Sequence, residues 1–359
     1  MQAGALPAVP YNLARLGVIM RKDPESELER EGVLNPASAR GRDGTPYLLP
    51  RLVAPGNESR IGLAKLIVDN GEPVAAARES VVLEPDAHWE KAPDHAGVED
   101  PRVTWVENLS RYIMAYVAYG PLGPRAALAA SSDLRDWQRL GPVHFEYDSS
   151  MALDLNVFDN KDVVVFPEPV RGPDGRPSYA LLHRPVWDVR SVFGGGEGFV
   201  PPSLGDDRPG IWISYAPAAE VEADLSRLAH LRGHKPVAQP EFAFESLKIG
   251  AGTPPLRVPE GWLLVHHGVT LAGTGATRGE GPQGNVRYCA GAMLLDHEDP
   301  SRVIARTSGP LLEPEVAEEL EGTVPNVVFP TAIETIEGST FVFYGMADSA
   351  IGVARLRHT

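Results

Sequence analysis

The chain has 359 residues, 43% of them hydrophobic, enough for one large domain or two ordinary ones with ample core. Its net charge of −15 argues against nucleic acid and anionic membrane surfaces as partners, so an anionic substrate would need basic residues gathered locally. Gly (36) and Pro (34) together make up about a fifth of the chain, which favours many turns over long helices, and a single cysteine, Cys289, excludes an intramolecular disulfide.

The N-terminal stretch "MQAGALPAVPYNLARLGVIMRKD" has no basic leading segment, and Arg15 interrupts its apolar run, which is not the pattern of a signal peptide. No run approaches the ~18–20 apolar residues of a membrane span, so a soluble, cytoplasmic protein is expected. Short strand-like runs then follow in order: "TPYLLPRLVA", "SRYIMAYVAYG", "PSYALLHRPV", "GIWISYAP", "GWLLVHHGV" and "STFVFYGMAD". Each opens after a Gly, Pro or Ser signal and ends on polar or aromatic residues, namely Arg51, Tyr119, His183 with Arg184, Tyr215, His266 with His267, and Tyr344. "VVFP" occurs twice, at 164–167 and 327–330. Helical periodicity is confined to "AAEVEADLSRLAHL" (218–231) and "EPEVAEELE" (313–321). The Gly/Pro-rich stretches 192–209 and 271–285 read as loops between strands, not interdomain linkers.

Repeated short strands over this length predict an all-β fold, a β-propeller, in one domain spanning 1–359 with a short N-terminal extension of about 12 residues. In a propeller the innermost strands line a central channel, so polar residues ending several strands would converge on one site.

The stretch "GVEDPRVTWVE" (97–107) sets Glu99 and Asp100 before Pro101 and Arg102 at a strand entrance. Asp100 precedes proline and is expected in extended or turn geometry. By themselves these residues read as a turn or a salt-bridged corner. Cations recur near strand ends, however: Arg125, Lys161, Arg184, Lys248 and His267. Singly each is a solvated charge, but convergent Arg, Lys and His are what a bound phosphate needs. No Walker sequence, dinucleotide-binding glycine loop or metal-ligand spacing is present, and His95 and His144 read as structural or exposed. Cys289 reads as a small buried hydrophobe.

Eleven blocks in order, among them "GVLNPAS", "SRIGLA", "GVEDPRVT", "NKDVVVFPE", "LLHRP", "LKIGAGTPPL", "HHGV", "GTVPNVVFPTA" and "YGMADSAIGVA", resemble glycoside hydrolase family 130, the β-mannoside phosphorylases, over residues 11 to 355. The resemblance implies a five-bladed β-propeller with its active site at the central channel. It implies inverting phosphorolysis of β-1,2- or β-1,4-manno-oligosaccharides or mannosyl-glucose, giving α-mannose 1-phosphate, with inorganic phosphate as co-substrate and no cofactor or metal. Asp100 matches the family's general acid, whose proton passes through the mannose 3-hydroxyl. Phosphate contacts carry over onto Arg125, Lys161, Arg184, Lys248 and His267, and mannose contacts onto Asn35, Arg60 and Asp348. Relatives often assemble, so a homo-oligomer is open. Two departures stand out: His266, where Tyr is usual, touches the phosphate corner, and the insertion at 271–285 is expected to reshape the acceptor side.

Physical logic agrees with that reading. An inverting hydrolase needs an acid and a base carboxylate about 6.5–9.5 Å apart, whereas phosphate arrives as its own anionic nucleophile and needs cations to orient it. Two alternatives remain: a phosphate-independent β-mannosidase with Glu168 or Asp348 as base, and a non-catalytic carbohydrate-binding propeller.

Overall fold

The structure is a computed structural model that describes residues 6–92, 96–187, 205–272 and 286–359. Among these residues the fold is all-β, with only short helical turns. His95, most of the 192–209 loop and all but the first two residues of the 271–285 insertion lie outside the described residues.

The strands form four hydrogen-bonded sheets, the largest of which is two successive antiparallel meanders. The first unit comprises Gly32–Arg40, Pro46–Ala54, Glu58–Asp69 and Glu72–Leu83; the second comprises Ala96–Val106, Arg111–Gly120, Gly123–Ser131 and Gln138–Pro142. They are joined where Glu58 and Ser59 pair in parallel with Ala96 and Gly97. The third unit carries Asp159–Val165, Pro177–Val186, Ile211–Pro217 and His230–Ala238, and the fourth Lys248–Ala251, Gly261–Leu271, Val286–Leu295 and Val303–Arg306. The fifth takes Val328–Ile336, Ser339–Met346 and Ala350–His358, and is completed by Tyr11–Arg21, so both ends of the chain meet in one sheet, with Tyr11 opposite His358. The predicted extension of about 12 residues is therefore shorter. Arg306 donates its backbone N–H to Pro7 and Thr359 to Pro10, so the segment is docked before the strand begins.

Apolar cores lie between neighbouring units and close a ring. Leu49 and Leu63 of the first unit pack with Val98 and Met114 of the second. Ile113 and Leu128 pack with Val163 and Leu181 of the third, and Val164 and Ile213 with Trp262 and Leu264 of the fourth. Val265 and Ala290 meet Val328 and Val342 of the fifth, and Phe341 and Phe343 meet Val33 and Leu48 of the first. The first strands of all five units are tied to one another inside that ring. Thr331 donates to the Pro36 carbonyl, Ser38 to Ile333, Asn35 to the Asp100 carboxylate, Thr104 to Val165 and Arg102 to Gly252.

A second repeat appears in the connecting loops. "PDAHWE" (85–90), "PEFAFE" (240–245) and "PEVAEE" (314–319) each bury a glutamate: Glu90, Glu245 and Glu319. Each carboxylate accepts the backbone N–H of the residues four and three before it, and pairs with an arginine from the fourth strand of its unit, Arg139, Arg306 or Arg15. Tyr116 and Tyr344 add a hydroxyl to Glu90 and Glu319. In the fourth unit His266 holds the tyrosine's place, its Nε2 3.6 Å from Glu245 Oε2. The departure at His266 therefore bears on this buried triad and not on the phosphate corner, because its side chain points to the opposite face of the strand from His267. The third unit uses an uncharged chain instead, Asn160–His183–Ser214–His234, with burial pushing both histidines below their ordinary range.

The predicted helix over 218–231 divides. Ala218–Ala223 is α-helical, but Asp224 takes an extended conformation, caps Ser226 and starts a separate turn, and His230 already opens a strand. Likewise only Ala317–Leu320 of 313–321 is helical. Cys289 is free and buried, and its thiol is pushed up to about 11 by desolvation. Among the described residues no helix is long and apolar enough to cross a membrane.

Candidate active site

The first strands of three units break register at one comparable place. The shifts fall between Leu34 and Ala37, Glu99 and Arg102, and Lys161 and Val164. At each, a residue with a short polar side chain adopts a left-handed backbone: Asn35 at φ 43°, Asp100 at φ 47° and Asp162 at φ 56°. Asn and Asp tolerate this conformation best among non-glycine residues, and a bulge re-aims a side chain out of the pleat. Asp100 thus sits within the strand Ala96–Val106, in neither the extended geometry nor the entrance position expected. Opposite two of these bulges the second strands present Arg51 against Leu34 and Arg184 against Lys161, and in the fourth unit His267 stands against Gly250. Seven strands from four units are brought to one place this way.

One half of the site is built around Asp100. Its Oδ1 accepts from Asn35 Nδ2 at 2.8 Å and from Arg51 Nη1 at 3.1 Å, while Arg51 Nη2 reaches Glu99 Oε1 at 2.7 Å and its Nε donates to Ser59. Burial opposes the Arg51 charge, but the fields of Glu99, Asp100 and Asp348 outweigh it and hold its pKa above the usual value. Asp348, left-handed at φ 52° on the turn after Ser339–Met346, belongs to the same group. Its carboxyl is raised to about 6, chiefly by desolvation and then by Asp100 and Glu99, against the pull of Arg51 and Lys161. Gly345 is required beside it, since a Cβ there would stand 2.0 Å from Asn35 Oδ1.

The other half gathers around the buried Asp162. Arg184 Nε donates to its Oδ2 at 2.5 Å, Arg102 Nη2 lies 3.6 Å from its Oδ1 and His267 Nε2 3.5 Å from its Oδ2. Burial works against the Asp162 charge, yet Arg184, His267 and Arg102 together hold its carboxyl far below the usual range. Desolvation keeps His267 neutral. Gly250 makes room here: a Cβ would meet Asp162 Oδ2 at 2.1 Å and the His267 ring at 2.6 Å. Lys248 lies over Tyr288 with 5.4 Å to the ring centroid, and Phe329 packs on His267 at 4.6 Å and under Arg102 at 5.5 Å. Arg102 links the halves, donating from Nη1 to the Asp100 carbonyl at 2.9 Å. Lys161 stands between them over Tyr119, and its charge is felt at Asp348.

Most of the predicted residues therefore converge: Asn35, Asp100, Asp348, Lys161, Arg184, Lys248 and His267. Two sit elsewhere. Arg125 gives Nη1 to the Asn156 and Phe158 carbonyls at 2.8 and 3.0 Å, bracing the approach to Asp159–Val165. Arg60 turns to Glu58 at 2.5 Å and Glu84 at 3.9 Å within its own unit. The guanidinium beside Asp100 and Asn35 belongs to Arg51, not Arg60. Sequence reasoning also gave no role to Asp162 and read Arg102 only as part of a turn or salt-bridged corner, though Arg102 joins both halves. Of the two alternative bases, Glu168 is paired with Arg257 on the exposed surface, and Asp348 stays near Asp100.

An expected result follows from the Asp348 environment. A carboxyl raised in the folded state contributes stability that is present below its ordinary pKa of ~4 and lost as pH rises through about 6. Asp348→Asn, which tolerates the left-handed backbone, should stabilise the protein by up to about 2 kcal/mol at pH 8 and by nothing at pH 4. Denaturant titration at both values checks this; an equal effect at the two would remove the titration of Asp348 as its cause.

Comparisons with known proteins bear on this site. The family model described as β-1,4-mannooligosaccharide phosphorylase, glycoside hydrolase family 130, matches residues 55–358. The chain is 32% identical over 347 residues to a 1,2-β-oligomannan phosphorylase of Thermoanaerobacter sp., covering 94% of each chain. It is 27% identical to a β-1,4-mannooligosaccharide phosphorylase of Ruminococcus albus, over 71% of this chain and 61% of that one. Among solved structures, β-1,2-mannobiose phosphorylase from Listeria innocua superposes with a TM-score of 0.69 at 22% identity, covering 97% of this chain and 96% of that one. A family 130 structure described with glycoside hydrolases that target β-1,2 mannosidic linkages in Candida mannan superposes at 0.71, with 21% identity and coverage of 99% and 95%. The chain belongs to glycoside hydrolase family 130, the β-mannoside phosphorylases, and is an enzyme.

Proposed function

We propose that this enzyme is an inverting β-mannoside phosphorylase on a five-bladed β-propeller, the ring of five units being the blades. Asp100 is the acid: the glycosidic C1–O bond breaks, the leaving sugar takes up the Asp100 proton by way of the mannose 3-hydroxyl, and a phosphate oxygen bonds C1 from the opposite face to give α-mannose 1-phosphate. Asn35, Arg51 and Asp348 hold the mannose, and Arg184, Lys248, His267 and Lys161 hold phosphate. No cofactor is needed.

The observation that carries this reading is the cationic half. Among the described residues, Arg102 Nη2 and both ring nitrogens of His267 are buried without a hydrogen-bond partner, beside Arg184 and Lys248. Buried polar atoms are almost always partnered, and a tetrahedral oxyanion with several acceptor oxygens would satisfy them. Asp162 neutralises only part of the charge there, so the balance favours an anion. β-1,2-Linked substrates are the first to test, since the relative matched over nearly its whole length is a 1,2-β-oligomannan phosphorylase.

Incubation with β-1,2-mannobiose should release mannose 1-phosphate only when phosphate is present. Arg184→Ala should raise the KM for phosphate by about tenfold or more while leaving mannobiose binding nearly unchanged. Equal release of free mannose without phosphate would instead support hydrolysis, for which the Asp348 carboxylate near Asp100 is the available base.

A further inference from the structure

The first strands run on past the site to the far end of the ring, where a cavity of about 630 Å³ opens, more than twice the roughly 290 Å³ pocket beside Tyr215. All five units contribute to it, through segments such as Ser38–Arg42, Val103–Glu107, Pro254–Arg257 and Ile333–Thr335, together with Pro167. None of the catalytic or phosphate residues named above lines it. We propose that this cavity is a second, non-catalytic site for a neutral oligosaccharide.

Its chemistry selects the ligand class. One wall is aromatic: Trp105 lies against Tyr112 with ring centroids 4.6 Å apart, and its Nε1 is held by Glu107 Oε2 at 2.5 Å, which sets the ring's orientation. Arg42 covers Trp105 at 5.1 Å to the centroid, but it is an exposed, flexible side chain that can give way. The remaining charges are paired within the protein, Arg40 with Glu334 at 3.0 Å and Arg257 with Glu168. Among the described residues lining it, an anion would find no free cation except Arg42, in a chain of net charge −15. A purely apolar ligand would strip water from Arg40, Glu334 and Glu107 without replacing it. A sugar ring offers a C–H face to Trp105 and hydroxyls to the carboxylate and guanidinium edges, and the volume suits a di- or trisaccharide. Such a site would tether a long chain to the enzyme and raise its effective concentration around it.

The choice of mannoside as probe rests on the proposed function; the cavity argument does not. The test titrates Asp100→Asn enzyme, which cannot turn over, with β-1,2-mannotriose by calorimetry. Two binding events are expected. Thr335→Trp, a bulky replacement at an exposed rim position, should weaken one of them by about tenfold or more, and Trp105→Ala should do the same. In the native background Thr335→Trp should leave kcat/KM for mannobiose within about twofold. A single event that neither substitution alters overturns the second site and leaves the phosphorylase reading standing. Absence of turnover of every β-mannoside overturns that reading, while binding lost on Thr335→Trp would still support the cavity.

Discussion

Asp100→Asn is expected to lower the release of mannose 1-phosphate from β-1,2-mannobiose by about 10³-fold, within the range by which a positioned general acid contributes. Asparagine keeps the Oδ1 that accepts from Asn35 and Arg51, and it accommodates the left-handed backbone at φ 47°. The fold should therefore survive, with a stability change of about 1 kcal/mol. A coupled assay of phosphorolysis, run beside a thermal melt, reads both quantities. A wild-type rate in a folded variant would remove Asp100 as proton donor. Alanine is the poorer probe, because it strands the Arg51 guanidinium, which is only 11% exposed, and would mix loss of acid with collapse of the site.

The largest effect on stability is expected at Glu319. Its carboxylate is fully buried and satisfies Arg15, the Tyr344 hydroxyl and the backbone N–H groups of Glu315 and Val316. Glu319→Ala should destabilise the protein by about 3–5 kcal/mol, the usual cost of breaking a buried pair from one side. Tyr344→Phe removes one hydroxyl bond and should cost about 1–2 kcal/mol. Arg15 lies on the strand that completes the fifth unit, so the loss should appear first as opening of that sheet. Hydrogen exchange at Tyr11–Arg21 and Ala350–His358, together with denaturant unfolding, would register it. A cost below 1 kcal/mol with unchanged exchange would show that this triad does not secure the closure.

The six strand-like runs picked out in the sequence are the second strands of all five units and one third strand, nearly to the residue. They were legible because each is a β-branched or aromatic run bounded by turn residues. The first strands were not among those six runs. Gly32–Arg40 and Ala96–Val106 contain Pro36 and Pro101 and are broken by bulges, so they lack the simple alternation of a strand. The site sits on these irregular strands, whose strained backbone is part of how it aims its carboxylates. The same irregularity hid Asp162, which in "NKDVVV" reads as a turn before a strand.

The choice between Arg51 and Arg60 shows where local reading ends. They lie on adjacent strands of one sheet, and either could face the centre until register is known. Successive side chains alternate across a strand, so a one-residue change reverses the answer. Arg125 illustrates the same limit, since only the fold reveals the two carbonyls that occupy it.

By itself the sequence determined the all-β class and the family, and it singled out Asp100. Those rest on composition, on turn signals and on ordered blocks, all of which are local or linear properties. The tertiary structure decided which cations meet, that Asp162 organises them, that His266 serves a buried glutamate, and that a second cavity exists. Each of these depends on which faces of five units turn toward one another. That arrangement is set by cores shared between units distant in the chain, and the field at any one group is a sum over all of them.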